Sequence, residues 1–458
     1  MGMFSRQTSR RSLIKGAAVT GAGLAIAGAA GRSSSTRAQE STFTREASIT
    51  SWGFGAEETN PMAFSRIDAF KQAYPSITLE LVPEFDSQKL LTGFASEQVP
   101  DLVWMGRQDV ASWAARGVLM PMDDLLADGR VNLDEVYPVA LEDVKYDGKT
   151  YGFPQFMDVR ALYVNLDALA ETGTDAAGLN TGDWEQLDAL GAALVKKNGD
   201  AVERWGFDHK TQSDLLWLWS KANGVDLMNA DGTEVKFTDD KVVEALDWAY
   251  KWSQDQGGYQ SFEAIASTWQ GDEQFARGQV AMTMYENWML GIVARVAPKL
   301  NFTVLPVRER GGDGMVTYTG GPAWCIPNGA KDPEAAYEFI TFMAKTDTWM
   351  LGANAVKTAR EAEGSPFIPT LTGNTVADQR QIDELYAPLG GPFDDAIALF
   401  PQMLESAFSR PIGKSPAATQ INDTLKTVAV LPALRGEQSS ADALETAQQD
   451  AQDAIDSL

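Results

Sequence analysis

At 458 residues the chain is too long for one ordinary domain and suggests two or three, and its 44% hydrophobic content, with 13 Trp and 20 Phe, is enough for real cores. A net charge of −25 repels phosphate backbones and anionic lipid, so nucleic-acid binding is not expected. With one cysteine, Cys325, and one histidine, His209, the chain cannot form an intramolecular disulfide, is poor in ligands for a zinc site, and offers a single imidazole base to any Ser-His or Cys-His pairing.

The N-terminus reads as an address. Ser9-Arg10-Arg11-Ser12-Leu13-Ile14-Lys15 looks like a twin-arginine export motif. The Gly/Ala-rich run from Gly16 to Ala30 is too short to span a bilayer. Small residues in Thr36-Arg37-Ala38 offer cleavage before Gln39. The plainer alternative is a disordered basic tail. Ser12-x-x-Lys15 matches the nucleophile motif of penicillin-binding enzymes only inside this signal, and it is discarded.

Ser48 to Trp52 reads as a first strand opening into a loop, Gly53 to Asn60. Met62, Phe64, Ile67, Ala69 and Phe70 recur at helical spacing. A second strand follows Pro75 with Ile77, Leu79, Leu81 and Val82, and residues 87–96 are helical. Asp101 to Met105 reads as a buried strand carrying Trp104 near its end. This alternation predicts an α/β lobe with a mostly parallel sheet, where ligands lie beyond the carboxyl ends of strands. Asp147-Gly148 signals a hairpin, and Ala161 to Val164 a strand. Asp183-Trp184 starts a helix, 213–222 and 240–253 are helical, and Phe302 to Pro306 is a strand. Asn229 to Gly232 reads as a plain turn, since Thr238 stands where a calcium loop needs Glu.

Thr317 to Lys345 combines three pieces. Tyr318-Thr319-Gly320-Gly321-Pro322 is a loop poor in side chains, Ala323 to Pro327 is a strand, and a helix then starts with Asp332 as cap and Pro333 in its first turn. The remainder is helical, ending in a helix with Leu444, Ala447, Ala451 and Ile455 in register. No phosphate loop of the GxxxxGK[ST] type occurs.

Gly320-Gly321, Trp324, Ile326-Pro327 and Gly329-Ala330-Lys331-Asp332-Pro333-Glu334-Ala335-Ala336-Tyr337-Glu338-Phe339 together resemble the central signature of the family 1 extracellular solute-binding proteins, the sugar-capturing receptors of ABC importers. Asp147-Gly148-Lys149-Thr150-Tyr151-Gly152-Phe153-Pro154, Arg160-Ala161-Leu162-Tyr163-Val164-Asn165, and the pattern from Phe275 to Met282 leading to Trp288 stand in the family's order. The resemblance spans about residues 47–456. It implies an α/β, two-lobed periplasmic-binding-protein fold of the second type, with a hinge and an interlobe cleft. The implied division is 1–38 export signal, 45–162 plus 306–358 first lobe, and 163–305 plus 359–458 second lobe. The implied partners are a carbohydrate and the membrane permease of an ABC transporter with a separate ATPase; a monomer without cofactor is expected, in the periplasm or otherwise outside the cytoplasm. No cysteine lies near the cleavage site for a lipid anchor.

A sugar cleft needs aromatic rings for C–H faces and carboxylates, amides and arginine for hydroxyls. Such groups stand together at Trp52 with Glu57, at Trp104, at Asp158 with Arg160, at Trp269 with Gln270, at Glu286, Asn287 and Trp288, and at Gly320, Gly321 and Trp324. The family places ligand contacts at points matching Trp52 and Trp288, and the glycine pair is expected to form a lip of the cleft facing Glu286 and Trp288. Trp324 ranks below the glycines. Trp184, Trp217, Trp219, Trp248 and Trp252 are assigned to packing, Cys325 to a buried inert thiol, and His209 to a polar loop. The alternatives are a receptor for another polyol such as glycerol phosphate, for which Arg160 is the candidate basic contact, a glycoside hydrolase with paired carboxylates, and a chemoreceptor partner without transport.

Overall fold

The computed structural model describes residues 43–199, 201–268 and 271–458. The export signal, its cleavage site and Trp269 lie outside the described residues.

Two five-stranded sheets organise the chain. In the first, Ile77–Val82, Ala47–Trp52 and Leu102–Gly106 run parallel, and Pro322–Cys325 lies antiparallel between Leu102–Gly106 and Phe153–Pro154. The apolar runs noted in the sequence become these strands because both faces are covered. Ile49, Leu102, Phe153 and Trp324 meet Phe70, Phe339 and Ile340 of the flanking helices. Helix Pro61–Ala73 starts where Asn60 accepts the Ala63 amide, and helix Pro333–Ala344 where Asp332 accepts the Ala335 amide. Of the residues that suggested helix Pro61–Ala73, Met62, Ile67 and Phe70 are buried and Phe64 is 42% exposed.

The second sheet has the order Phe302–Pro306, Arg160–Asn165, Val280–Glu286, Ala201–Asp208, Lys196–Asn198. One neighbouring pair, Val280–Glu286 with Ala201–Asp208, is parallel, and the others are antiparallel. Arg160–Asn165 is buried throughout. Its alternate residues serve two cores: Leu162 and Val164 face the tryptophan-rich one, Ala161 and Tyr163 the one built with Phe302, Phe393 and Phe400. The C-terminal helix Ser440–Asp456 contributes Leu444, Ala447 and Ala451 to the first of these cores.

The chain changes sheets between Pro154 and Arg160, and again between Pro306 and Pro322. On the second passage Thr317–Tyr318 pairs in parallel with Ala407–Phe408. A division after residue 162 therefore cuts a strand, and one after 358 cuts helix Thr346–Ala362. Asp147 and Gly148 both take positive φ, 47° and 73°, making the expected tight hairpin between Lys145–Tyr146 and Lys149–Thr150.

Candidate ligand cleft and its hinge

Asp158 and Arg160 stand two residues apart where the chain enters the second sheet, so both side chains take the same side of the extended backbone. Arg160 Nη1 bonds Asp158 Oδ1, and the Gly320 amide donates to the same oxygen. Glu286 is the register partner of Arg160 across the sheet, with its carboxylate 3.5 Å from Nη2. Burial would lower the Arg160 guanidinium, but Asp158, Tyr318 and Glu286 outweigh it and hold it above its usual value. Burial raises the Glu286 carboxyl, and Arg160 offsets part of that rise. The Tyr318 ring carries two guanidinium contacts, Arg160 at 4.2 Å and Arg410 at 4.3 Å, while its hydroxyl donates to Asp214 at 3.2 Å.

Arg107 is the residue the sequence reading missed. It is 1% exposed and ties both crossings together. Nη1 donates to the Phe156 carbonyl at 2.8 Å, and Nη2 donates to the Gly320 carbonyl at 2.7 Å and to Thr319 Oγ1 at 3.2 Å. Its Nε faces Asp143 at 3.4 Å, which in turn accepts from Ser409. Its partners lie 36 to 213 residues away, so no local pattern announces them.

The glycine pair is explained here. A Cβ on Gly320 would lie 2.9 Å from Asp158 Oδ1, and one on Gly321 would lie 2.5 Å from the Phe156 carbonyl oxygen. Gly321 also has φ +130°. Gly320 is buried, and its amide and carbonyl are spent on Asp158 and Arg107. The expected lip of the cleft is thus a hinge junction, linked to Glu286 through Arg160.

The aromatic candidates separate. Trp324 is fully buried, with Phe54 and Phe339 each 4.9 Å away in edge-on contact. It has no free face for a ligand and is core. Trp104, half-buried, packs against Phe54 at 5.3 Å and sits in the middle of Leu102–Gly106 rather than at its end as expected. Trp52 is half-buried at the end of its strand with Lys89 Nζ 4.2 Å from its ring centre, and Glu57 is exposed in the following loop. Asn287 is 5% exposed, and its Oδ1 accepts the Val159 amide at 3.1 Å, so that oxygen is engaged within the fold. Trp288, at the N-terminus of helix Met289–Val296, is 42% exposed and touches Tyr285 edge-on at 5.0 Å. It lines a cavity of about 700 Å³ with Thr59, Val356 and Arg360 from the first-lobe side and Ile292 and Arg295 from the second.

His209 lies in the loop after strand Ala201–Asp208, as expected, but it is buried. It is 2% exposed, 4.3 Å from Trp252 and 6.0 Å from Trp248, and burial pushes its imidazole down to about 4. Its neutral ring accepts the Thr211 amide at Nδ1. Trp184, Trp217, Trp219 and Trp252 are buried around it or beside it, as their helical spacing predicts. Cys325 is buried and raised far above the usual thiol value by that burial, so its thiol stays protonated.

A family model described as bacterial extracellular solute-binding protein matches residues 65–356. A binding protein of Brucella abortus (strain 2308) is 28% identical over 293 residues, covering 61% of this chain and 67% of its own. A maltooligosaccharide ABC transporter solute-binding lipoprotein of Streptococcus pneumoniae (strain ATCC BAA-255 / R6) is 22% identical over 263 residues, 57% of this chain and 59% of its own. Among solved structures, CpMnBP1 with mannotriose bound aligns with a TM-score of 0.71 at 22% identity, over 89% of this chain and 100% of the other. An ABC substrate-binding protein of Listeria monocytogenes in complex with cycloalternan aligns with a TM-score of 0.72 at 19% identity, over 90% and 99%. The fold is that of the two-lobed periplasmic binding proteins.

Proposed function

Because this chain belongs to the bacterial extracellular solute-binding protein family, we propose that it captures a sugar or oligosaccharide between its lobes and delivers it to an ABC transporter permease. A separate ATPase supplies the energy. The observation that carries this reading is Trp288. A tryptophan 42% exposed, on the wall of a cavity shared by both lobes, offers an aromatic face to a sugar ring. Relatives named for maltooligosaccharides and neighbours holding mannotriose or cycloalternan support the same ligand class. Hinge closure would bring Trp52, Trp104 and Glu57 of the first lobe toward Trp288 and Glu286 of the second. The protein works as a monomer, outside the cytoplasm, exported by the twin-arginine route through residues 1–38.

The chain acts as a receptor rather than a hydrolase. Asp158 and Glu286 both face one guanidinium, Arg160, and Asp158 also holds the Gly320 amide. Asp158 and Glu286 are therefore not a free carboxylate pair that could flank a glycosidic bond. For the same reason Arg160 is not a free phosphate ligand, which weighs against glycerol phosphate. A thermal-unfolding screen against a sugar panel tests the reading. A ligand at 100 times its dissociation constant adds about 2.7 kcal/mol. Stabilisation by amino acids or peptides alone would overturn the substrate class, and product formation from the sugars would overturn the receptor assignment.

A further inference from the structure

The chain carries 63 acidic against 38 basic residues, yet the cavity beside Trp288 is lined by two guanidiniums, Arg295 and Arg360, and by one carboxylate, Glu363. The arginines come from opposite walls. Arg295 lies in the last turn of helix Met289–Val296, in the second lobe. Arg360 lies in the last turn of helix Thr346–Ala362, which packs on helix Pro61–Ala73 of the first. A guanidinium has five N–H donors. Arg295 gives one to Glu273 at 3.1 Å, and Arg360 gives one to Glu363 at 2.7 Å. The side chains are 43% and 32% exposed, so the remaining donors are open to a guest.

Two guanidiniums lining one cavity repel each other as it narrows. An anion between them replaces that repulsion with two charge-assisted hydrogen-bonding partners. The Trp288 indole and the Ile292 and Val356 side chains of the same cavity offer apolar surface beside the charges. An acidic protein repels anions over most of its surface, so a pocket with two arginines marks where one can be held.

We infer that the ligand is an acidic saccharide, with its sugar face on Trp288 and its anionic group between Arg295 and Arg360. This rests on the sugar reading of the same cleft. A uronic carboxylate matches the guanidinium fork, and a sulfate ester offers the same charge.

Isothermal titration of the protein with digalacturonic acid, a sulfated disaccharide, mannotriose and glycerol 3-phosphate tests it. One of the two acidic sugars should bind more tightly than mannotriose, and which one identifies the anion. Added salt should weaken that binding. R295Q and R360Q should each weaken it about 10- to 100-fold, the loss of a hydrogen bond to a charged group. Unfolding midpoints guard against misfolding; should R295Q unfold through loss of its Glu273 contact, R360Q carries the test. Mannotriose binding as tightly as the acidic sugars, or acid binding unchanged in R360Q, would overturn the inference and leave the sugar reading standing. Binding of none of the four would overturn the inference, and binding of glycerol 3-phosphate alone would overturn both.

Discussion

A Cβ on Gly321 would stand 2.6 Å from Nη1 of Arg107, the guanidinium that joins the two crossings of the hinge. The backbone there has φ +130°, where side chains are strained even in open space. Gly321→Ala should therefore cost about 2–4 kcal/mol, from backbone strain plus displacement of a buried guanidinium. Urea unfolding measures it. A loss within the scatter of surface substitutions would mean that the junction tolerates a side chain.

Asp158→Ala removes the acceptor shared by Arg160 and Gly320. Arg160, only 9% exposed at its side chain, would keep Glu286 at 3.5 Å as its remaining carboxylate. Breaking such a pair costs about 3 kcal/mol or more. Asp158→Asn should cost less, since its carbonyl still accepts the Gly320 amide. Equal losses in the two variants would put the effect on charge alone.

His209 sets a limit on acid stability. Its folded value, about 4, lies below the ordinary 6.5, so the unfolded chain takes up the proton first. Stability from this group is complete above about pH 6.5 and is lost as pH falls toward 4, amounting to about 3 kcal/mol there. In His209→Gln the stability gap to the native protein should shrink by that amount between pH 7 and pH 4. A gap that does not change with pH would show that the folded imidazole titrates as it does in the unfolded chain.

Asp378 slopes the other way. It accepts the Thr372 amide at 2.7 Å and the Tyr137 hydroxyl at 3.1 Å while buried, and burial raises it to about 7 from 3.8. Its stabilising effect is full below about pH 4 and is lost as pH rises through 7, amounting to about 4 kcal/mol. Asp378→Asn should gain on the native protein as pH rises from 4 to 8 in urea melts. A constant difference would contradict the raised value.

The strands and caps were legible because their causes are local. Apolar runs follow prolines, Asp332 precedes Pro333, and Asp147-Gly148 permits a tight turn. The site was less so, because its residues are chosen by partners far along the chain. His209 is a loop residue in Phe207-Asp208-His209-Lys210, but its burial is set by a helix about 40 residues on that brings Trp248 and Trp252 against it. Asn287 stands beside Trp288 in the sequence, but its Oδ1 is held by the Val159 amide, 128 residues away. Arg107 gave no signal because its acceptors, two of them backbone carbonyls of the hinge, lie far along the chain. Trp324 is prominent in the signature for packing reasons, as its contacts with Phe54 and Phe339 explain.

The most direct measurement is calorimetric titration of native protein and Trp288→Ala with the tightest-binding sugar of a panel. The indole is exposed, so unfolding stability should stay within about 1 kcal/mol of native. Affinity should fall at least about 10-fold, as expected when an aromatic anchor is removed from a binding site. Unchanged sugar affinity in Trp288→Ala would contradict binding in this cleft.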